Sequence, residues 1–143
     1  DVAPFSDLDL MVLHDGKRQE EVIQLATRLM QDLYDVGLDP GHSVRTPAQA
    51  VQLAKEDASI CTSLMESRFL TGSDKVYNAF RDPFRQSTMK RYRASYDAIL
   101  KSRRDERSQF GETIYLLRPN IKRSRGGLRE IQLLRWIGFA SFR

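Results

Sequence analysis

Residues 8–13, LDLMVL, form a short apolar run closed by the turn-forming HDGK of residues 14–17, and they read as a buried strand. The period then changes. Between residues 18 and 36, Val22, Leu25, Ala26, Leu29, Leu33 and Val36 recur at helical spacing, and Gly37 is placed to stop the helix. Residues 38–46, LDPGHSVRT, read as a turn followed by a short strand. Thr46-Pro47-Ala48-Gln49 combines a capping box with proline at the first helical position, so a helix is predicted over residues 47–56. Asp57 would cap the next one, with Ile60, Cys61, Leu64, Met65 and Phe69 on its apolar side and Gly72 as its stop. Beyond residue 80 the pattern is mainly helical. Tyr92, Tyr96, Ile99, Leu100 and Arg103 keep helical spacing, TIYLL (113–117) reads as a short strand ended by Pro119, KRSRGG (122–127) as a basic turn, and LREIQLLRWIGFASF as a closing amphipathic helix.

Charge changes this picture by dividing it. Residues 1–80 carry 7 Lys and Arg against 13 Asp and Glu, whereas residues 81–143 carry 16 against 6. An acidic half followed by a basic half predicts two sub-units, 1–80 and 81–143, and an anionic partner for the second. Composition excludes other classes. At 143 residues, 41% hydrophobic and 29% charged, the chain is globular in character, and no apolar run reaches the roughly 18 residues of a membrane span. No secretory leader pattern opens it, and the single cysteine, Cys61, rules out an internal disulfide framework; both suit a reducing cytoplasm. With one cysteine and two histidines, His14 and His42, a zinc site on Cys and His is excluded, so a metal here would be a hard cation on carboxylates.

Asp7 and Asp9 are the candidates for that chemistry. Two carboxylates at i and i+2 of a strand project to one face and repel, so something positive belongs between them. A strand-borne pair of this kind suits one or two Mg²⁺ ions holding a nucleoside triphosphate. The competing reading is a strand-edge pair neutralised by Arg45 or Arg68, and the motif alone does not choose.

A resemblance adds to this. APFSDLDLMVL looks like the D-x-D strand of the nucleotidyltransferase superfamily. GHSVRT (41–46), DASICTSLMESRFLTGSD (57–74) and RPNIKRSRGGLREIQLLRW (118–136) resemble, in order and at fitting separations, the bacterial protein-PII uridylyltransferases, bifunctional uridylyltransferase/uridylyl-removing enzymes of nitrogen regulation. The resemblance implies an α+β fold: an incomplete polymerase-β-like nucleotidyltransferase sheet with packed helices, followed by a mainly helical segment. It implies that Asp7 and Asp9 ligate Mg²⁺ on the triphosphate of UTP, and that Ser6, Arg45, Lys122 and Arg129 bind the nucleotide or its phosphates. His42, Ser43, Thr46, Gly126 and Gly127 match the remaining signature positions. An arginine fork suits phosphate oxygens, and the glycines before a helix would offer amides to an anion. The same glycines would equally serve close packing of two helices, Thr46 a helix cap, and His42 a turn hydrogen bond. A third carboxylate, expected in the superfamily, falls to Asp57 or Glu66, although Asp57 reads equally as a cap and Glu66 as an exposed helical residue.

The implied reaction transfers UMP from UTP to a tyrosine of the PII signal protein, with release of pyrophosphate. The superfamily's glycine-rich turn would lie before Asp1, and two scattered histidines cannot build the phosphohydrolase site that removes uridylyl groups. The chain is therefore expected to be a piece of the transferase module that is inactive by itself. Two rivals stand beside this reading: a glutamine synthetase adenylyltransferase, which shares the K-x-x-x-G-G-[IL]-R-E-I pattern, and a non-catalytic basic helical module binding RNA or an acidic protein. KRYRASY (90–96) interleaves tyrosine and arginine, but no nucleic-acid motif accompanies it.

Overall fold

The computed structural model describes residues 8–110 and 120–141. Its elements are β1 (Leu8–Leu13), α1 (Gln19–Asp35), β2 (Pro40–Arg45), α2 (Pro47–Glu56), α3 (Ala58–Met65), α4 (Asp74–Lys90), α5 (Tyr92–Phe110) and α6 (Leu128–Ser141). The architecture is α+β, as the resemblance implies. The expected strand at 113–117 lies outside the described residues, as do Ser6 and Asp7.

The described residues fall into two compact units. The first is built from the chain up to Ala50 together with Thr71–Phe80, the second from Val51–Leu70 and the chain from Arg81 onward. The charge step at residue 80 coincides with one of these boundaries, but Val51–Leu70 goes with the basic half. The reason is apolar rather than electrostatic: α3 buries Cys61 and Leu64 and packs against α5 and α6.

In the first unit β1 and β2 pair in parallel, from Leu8 opposite Pro40 to Leu13 opposite Arg45. A parallel pair needs a crossover, and α1 supplies it and packs on β2. Its end is a Schellman motif: Leu38 N–H donates to Leu33 C=O (3.0 Å), Gly37 N–H to Tyr34 C=O (2.9 Å), and Gly37 takes the left-handed φ of 84° that the turn requires. The buried stripe of α1 differs from the expected one. Ala26 and Met30 are buried, while Leu25 (69% exposed) and Val36 (72%) face outward. The helix carries apolar residues around more than one face, so helical spacing alone could not select which face turns inward.

In the second unit Cys61 and Leu64 of α3, Phe84 of α4, Ile99 of α5, and Trp136 and Ala140 of α6 are buried. The α3 helix is shorter than predicted, ending at Met65 rather than near Gly72. Three-residue hydrogen bonds tighten its last turn, Glu66 N–H to Ser63 C=O and Ser67 N–H to Leu64 C=O, and the Ser67 hydroxyl also donates to Leu64 C=O at 2.7 Å. Phe69 thus lies beyond the helix and is 39% exposed.

Candidate active site

The parallel register brings two of the sequence signatures together. Asp9 stands opposite Gly41, Met11 opposite Ser43 and Leu13 opposite Arg45. Side chains alternate along a strand, so Asp9, Ser43 and Arg45 share one face while His42 projects to the other. Arg45 is four residues further along than the Asp9 position, about 13 Å at strand rise. The Asp9 side chain is exposed, and among the described residues of its unit no Lys or Arg, Arg45 included, forms an ion pair with it. It lies against Gly41: a Cβ built on that glycine would run into Asp9 Oδ1. Asp9 is therefore a carboxylate seated on the neighbouring strand, without an ion-pair partner among the described residues of its unit. Among the described residues no group of three or more His, Cys, Asp or Glu side chains is placed to hold a metal ion.

Thr46 and Gln49 form the expected reciprocal cap: Thr46 N–H donates to Gln49 Oε1 at 2.8 Å, and Gln49 N–H to Thr46 Oγ1 at 3.3 Å. His42 is exposed. Both candidate third carboxylates have structural partners in the second unit. Asp57 Oδ1 accepts from the backbone N–H of Ser59 (2.6 Å) and Ile60 (3.1 Å), which makes it the N-cap of α3. Glu66 accepts from the Trp136 indole N–H at 2.9 Å and from Gln132 Nε2 at 3.2 Å, which fastens the end of α3 to α6.

The glycine signature forms a knot closed on itself. Asn120 Oδ1 accepts from the N–H of Lys122 and Arg123, and Ser124 Oγ accepts from Asn120 N–H at 2.8 Å. The N–H groups of Gly127, Leu128, Arg129 and Glu130 donate to Ser124, Ile121, Lys122 and Gly127 carbonyls respectively. The amides expected to face an anion at the start of α6 are thus engaged within the turn. Gly126 supplies the left-handed backbone, with φ of 80°. Gly127 supplies room, since a Cβ there would stand 2.5 Å from Ile121 O and 2.9 Å from Ser124 O. Lys122 is exposed. Arg129 is held on α6, donating to Gln132 Oε1 at 3.0 Å with its guanidinium 5.5 Å from the centre of the Trp136 ring.

Three residues that sequence reasoning passed over hold this knot. Glu130 accepts from Arg107 Nη2 through both carboxylate oxygens at 2.7 Å, and from Arg103 Nη2 at 3.1 Å. Arg103, 3% exposed, also donates to Arg123 C=O at 3.1 Å and pairs with Glu106 at 2.7 Å. Burial alone would raise the Glu130 carboxyl pKa; the hydrogen bonds and charges of Arg107 and Arg103 outweigh it and hold the value below the usual one. The signal was present in the sequence. Two arginines at i and i+4 of one helix repel unless an anion comes between them.

Known proteins resemble this chain in sequence. The family model described as GlnD PII-uridylyltransferase matches residues 94–142. A bifunctional uridylyltransferase/uridylyl-removing enzyme of Caulobacter vibrioides is 37% identical over 95% of this chain, and one of Methylococcus capsulatus 39% over 92%. One of Idiomarina loihiensis is 38% identical over 98%. The chain is homologous to one segment of this family. It spans about 15% of the length of these uridylyltransferase/uridylyl-removing enzymes. No solved structure matches it significantly. The family match at residues 94–142 covers the second unit's knot and its arginine clamp, whereas the Asp9 strand falls within the longer stretch shared with the whole enzymes.

Proposed function

We propose that the chain is part of the nucleotidyl-transfer module of an enzyme that moves UMP from UTP to a tyrosine of the PII protein and releases pyrophosphate. The observation that carries this reading is Asp9, a carboxylate with no cation partner among the described residues of its unit, exposed on a strand in parallel register with GHSVR. An exposed carboxylate held against a glycine, two residues after a second aspartate, has the hard oxygen donors that suit a divalent cation. Asp9, with Asp7 from the segment before β1, would hold Mg²⁺, which when bound neutralises charge on the triphosphate and the departing pyrophosphate. Arg45, on the same strand face, would bind phosphate oxygens with its planar fork. Ser43 between them would hydrogen-bond the same anion. The tyrosine hydroxyl attacks the α-phosphorus of UTP, the bond to the bridging oxygen of pyrophosphate breaks, and holding the two in line supplies much of the rate.

The activity belongs in this reading to the longer protein. The 143-residue chain alone is proposed to be inactive, because it spans only about 15% of the length of the enzymes it resembles. The test is transfer of label from UTP to PII protein by the whole enzyme, with ATP and glutamine synthetase as the competing pair. Label from UTP on PII, lowered at least about 100-fold by Asp9→Ala, is the expected result. Undiminished transfer by Asp9→Ala, or transfer only from ATP to glutamine synthetase, would overturn the proposal. Turnover by the 143-residue chain at the rate of the whole enzyme would overturn its second part.

A further inference from the structure

We infer that Gly41 is a positioning residue for Asp9: its missing side chain is the seat on which the Asp9 carboxylate is held in the orientation that binds a divalent cation. This rests on the metal reading of Asp9 given above and goes beyond it.

Glycine weakens a strand, so its presence inside β2 asks for a reason. Backbone conformation does not supply one. The glycines with positive φ are Gly16, Gly37, Gly72 and Gly126, and Gly41 is not among them. Its φ and ψ are those of a strand that any residue can adopt. Close approach supplies the reason instead. Of the atoms a Cβ would meet, the nearest is Asp9 Oδ1, followed by Asp9 Cγ at 3.6 Å; the backbone comes last, with Leu8 O at 3.9 Å. The space reserved at Gly41 is therefore occupied by one functional group and by little else. The register makes this a fixed relation, since Asp9 and Gly41 are direct partners across the parallel ladder.

The consequence follows from what can give way. A methyl group at position 41 need not separate the strands, because the atom it meets lies at the end of a side chain with two rotatable bonds. The carboxylate would swing off the strand, and the ladder would stay. Asp9 would keep its charge and its exposure but lose the direction in which both oxygens are presented. Ligand orientation of this kind changes metal affinity about 10- to 100-fold when its support is removed.

Mn²⁺ binding to the whole enzyme, followed by the loss of the free-ion EPR signal, reads this directly without reference to turnover. Four proteins are compared: wild type, Asp9→Asn, Gly41→Ala, and the double variant, each checked by circular dichroism. The expected result is a fall in affinity of about tenfold or more for Gly41→Ala, a larger fall for Asp9→Asn, and no further loss when Gly41→Ala is added to Asp9→Asn. A Gly41→Ala affinity within twofold of wild type, beside a clear loss for Asp9→Asn, would overturn the inference and leave the proposed function standing. Equal losses from Gly41→Ala in both backgrounds would overturn it too, since the glycine would then act without Asp9. So would a Gly41→Ala protein that does not fold, because the methyl would then be disrupting the strands. Unchanged binding in Asp9→Asn would instead remove the metal reading, and the inference with it.

Discussion

Replacing Glu130 by glutamine leaves the size of the side chain almost unchanged and removes the charge that Arg103 and Arg107 share. Three hydrogen bonds from Arg107 and one from Arg103 end on this carboxylate. Breaking a fully buried ion pair costs roughly 3–5 kcal/mol, because the remaining charge has no partner. Here two features lower the figure. The Glu130 side chain is 28% exposed, and Arg103 keeps Glu106 at 2.7 Å. Another raises it: Arg103 Nε is already buried without a partner among the described residues, so the group has no slack. A destabilisation of about 2–3 kcal/mol is expected. Urea unfolding followed by fluorescence reports on the right unit, because the chain's single tryptophan, Trp136, is 5% exposed on α6 itself. At a slope near 2 kcal/mol per M, the midpoint should fall by roughly 1–1.5 M. Gln52→Ala is the control. Gln52 and its partner Glu56 are both exposed on α2, within the second unit, and the loss of their hydrogen bond should cost under about 0.5 kcal/mol. A Glu130→Gln shift no larger than that of Gln52→Ala would refute the claim that the arginine clamp holds the glycine knot to α5.

The same carboxylate predicts an acid limb: with its folded pKa below the ordinary 4.5, its contribution is complete above the unfolded value and is lost as pH falls through the folded one. Urea midpoints of wild type and Glu130→Gln should therefore converge on acidification below about pH 4.5. Gly127→Ala must push Cβ against two backbone carbonyls and should destabilise by about 2–3 kcal/mol, whereas Gly126→Ala meets no atom and should cost only the left-handed backbone, about 1 kcal/mol; equal urea shifts would contradict the knot. Asp57→Ala removes both cap bonds of α3 and should cost about 1 kcal/mol in the same assay. Burial raises the Cys61 thiol pKa, against the Thr88 hydrogen bond and the Arg91 charge, so a thiol reagent at pH 8 should label the folded chain at least about 100-fold more slowly than the unfolded one. Equal rates would place Cys61 at the surface.

Much of the local structure is legible in the residues alone. LDLMVL followed by a turn, Gly37 after an apolar periodic run, and the Thr46–Gln49 box each specify an element through short-range chemistry, and each element forms where its signal stands. The candidate site is legible only as residue types and signature positions, Asp9 as a metal-binding carboxylate, Arg45 as a phosphate-binding fork and Ser43 as a signature match, and nothing in their spacing says where they meet. What the sequence by itself could not decide is anything that depends on which element lies beside which. The register that puts Asp9 on Gly41 is a property of two strands joined through α1, and no spacing along the chain encodes a missing Cβ as a seat for a carboxylate. The inward face of α1 depended on what β2 offered it. Asp57 and Glu66 both looked available as a third carboxylate until α3's own amides and the Trp136 indole claimed them. Arg103 and Arg107 of α5 become a clamp, with Arg103 buried, because only the folded chain brings Glu130 between them. Short-range chemistry writes caps, turns and periods into the sequence; partners distant along the chain exist only once the apolar faces have packed.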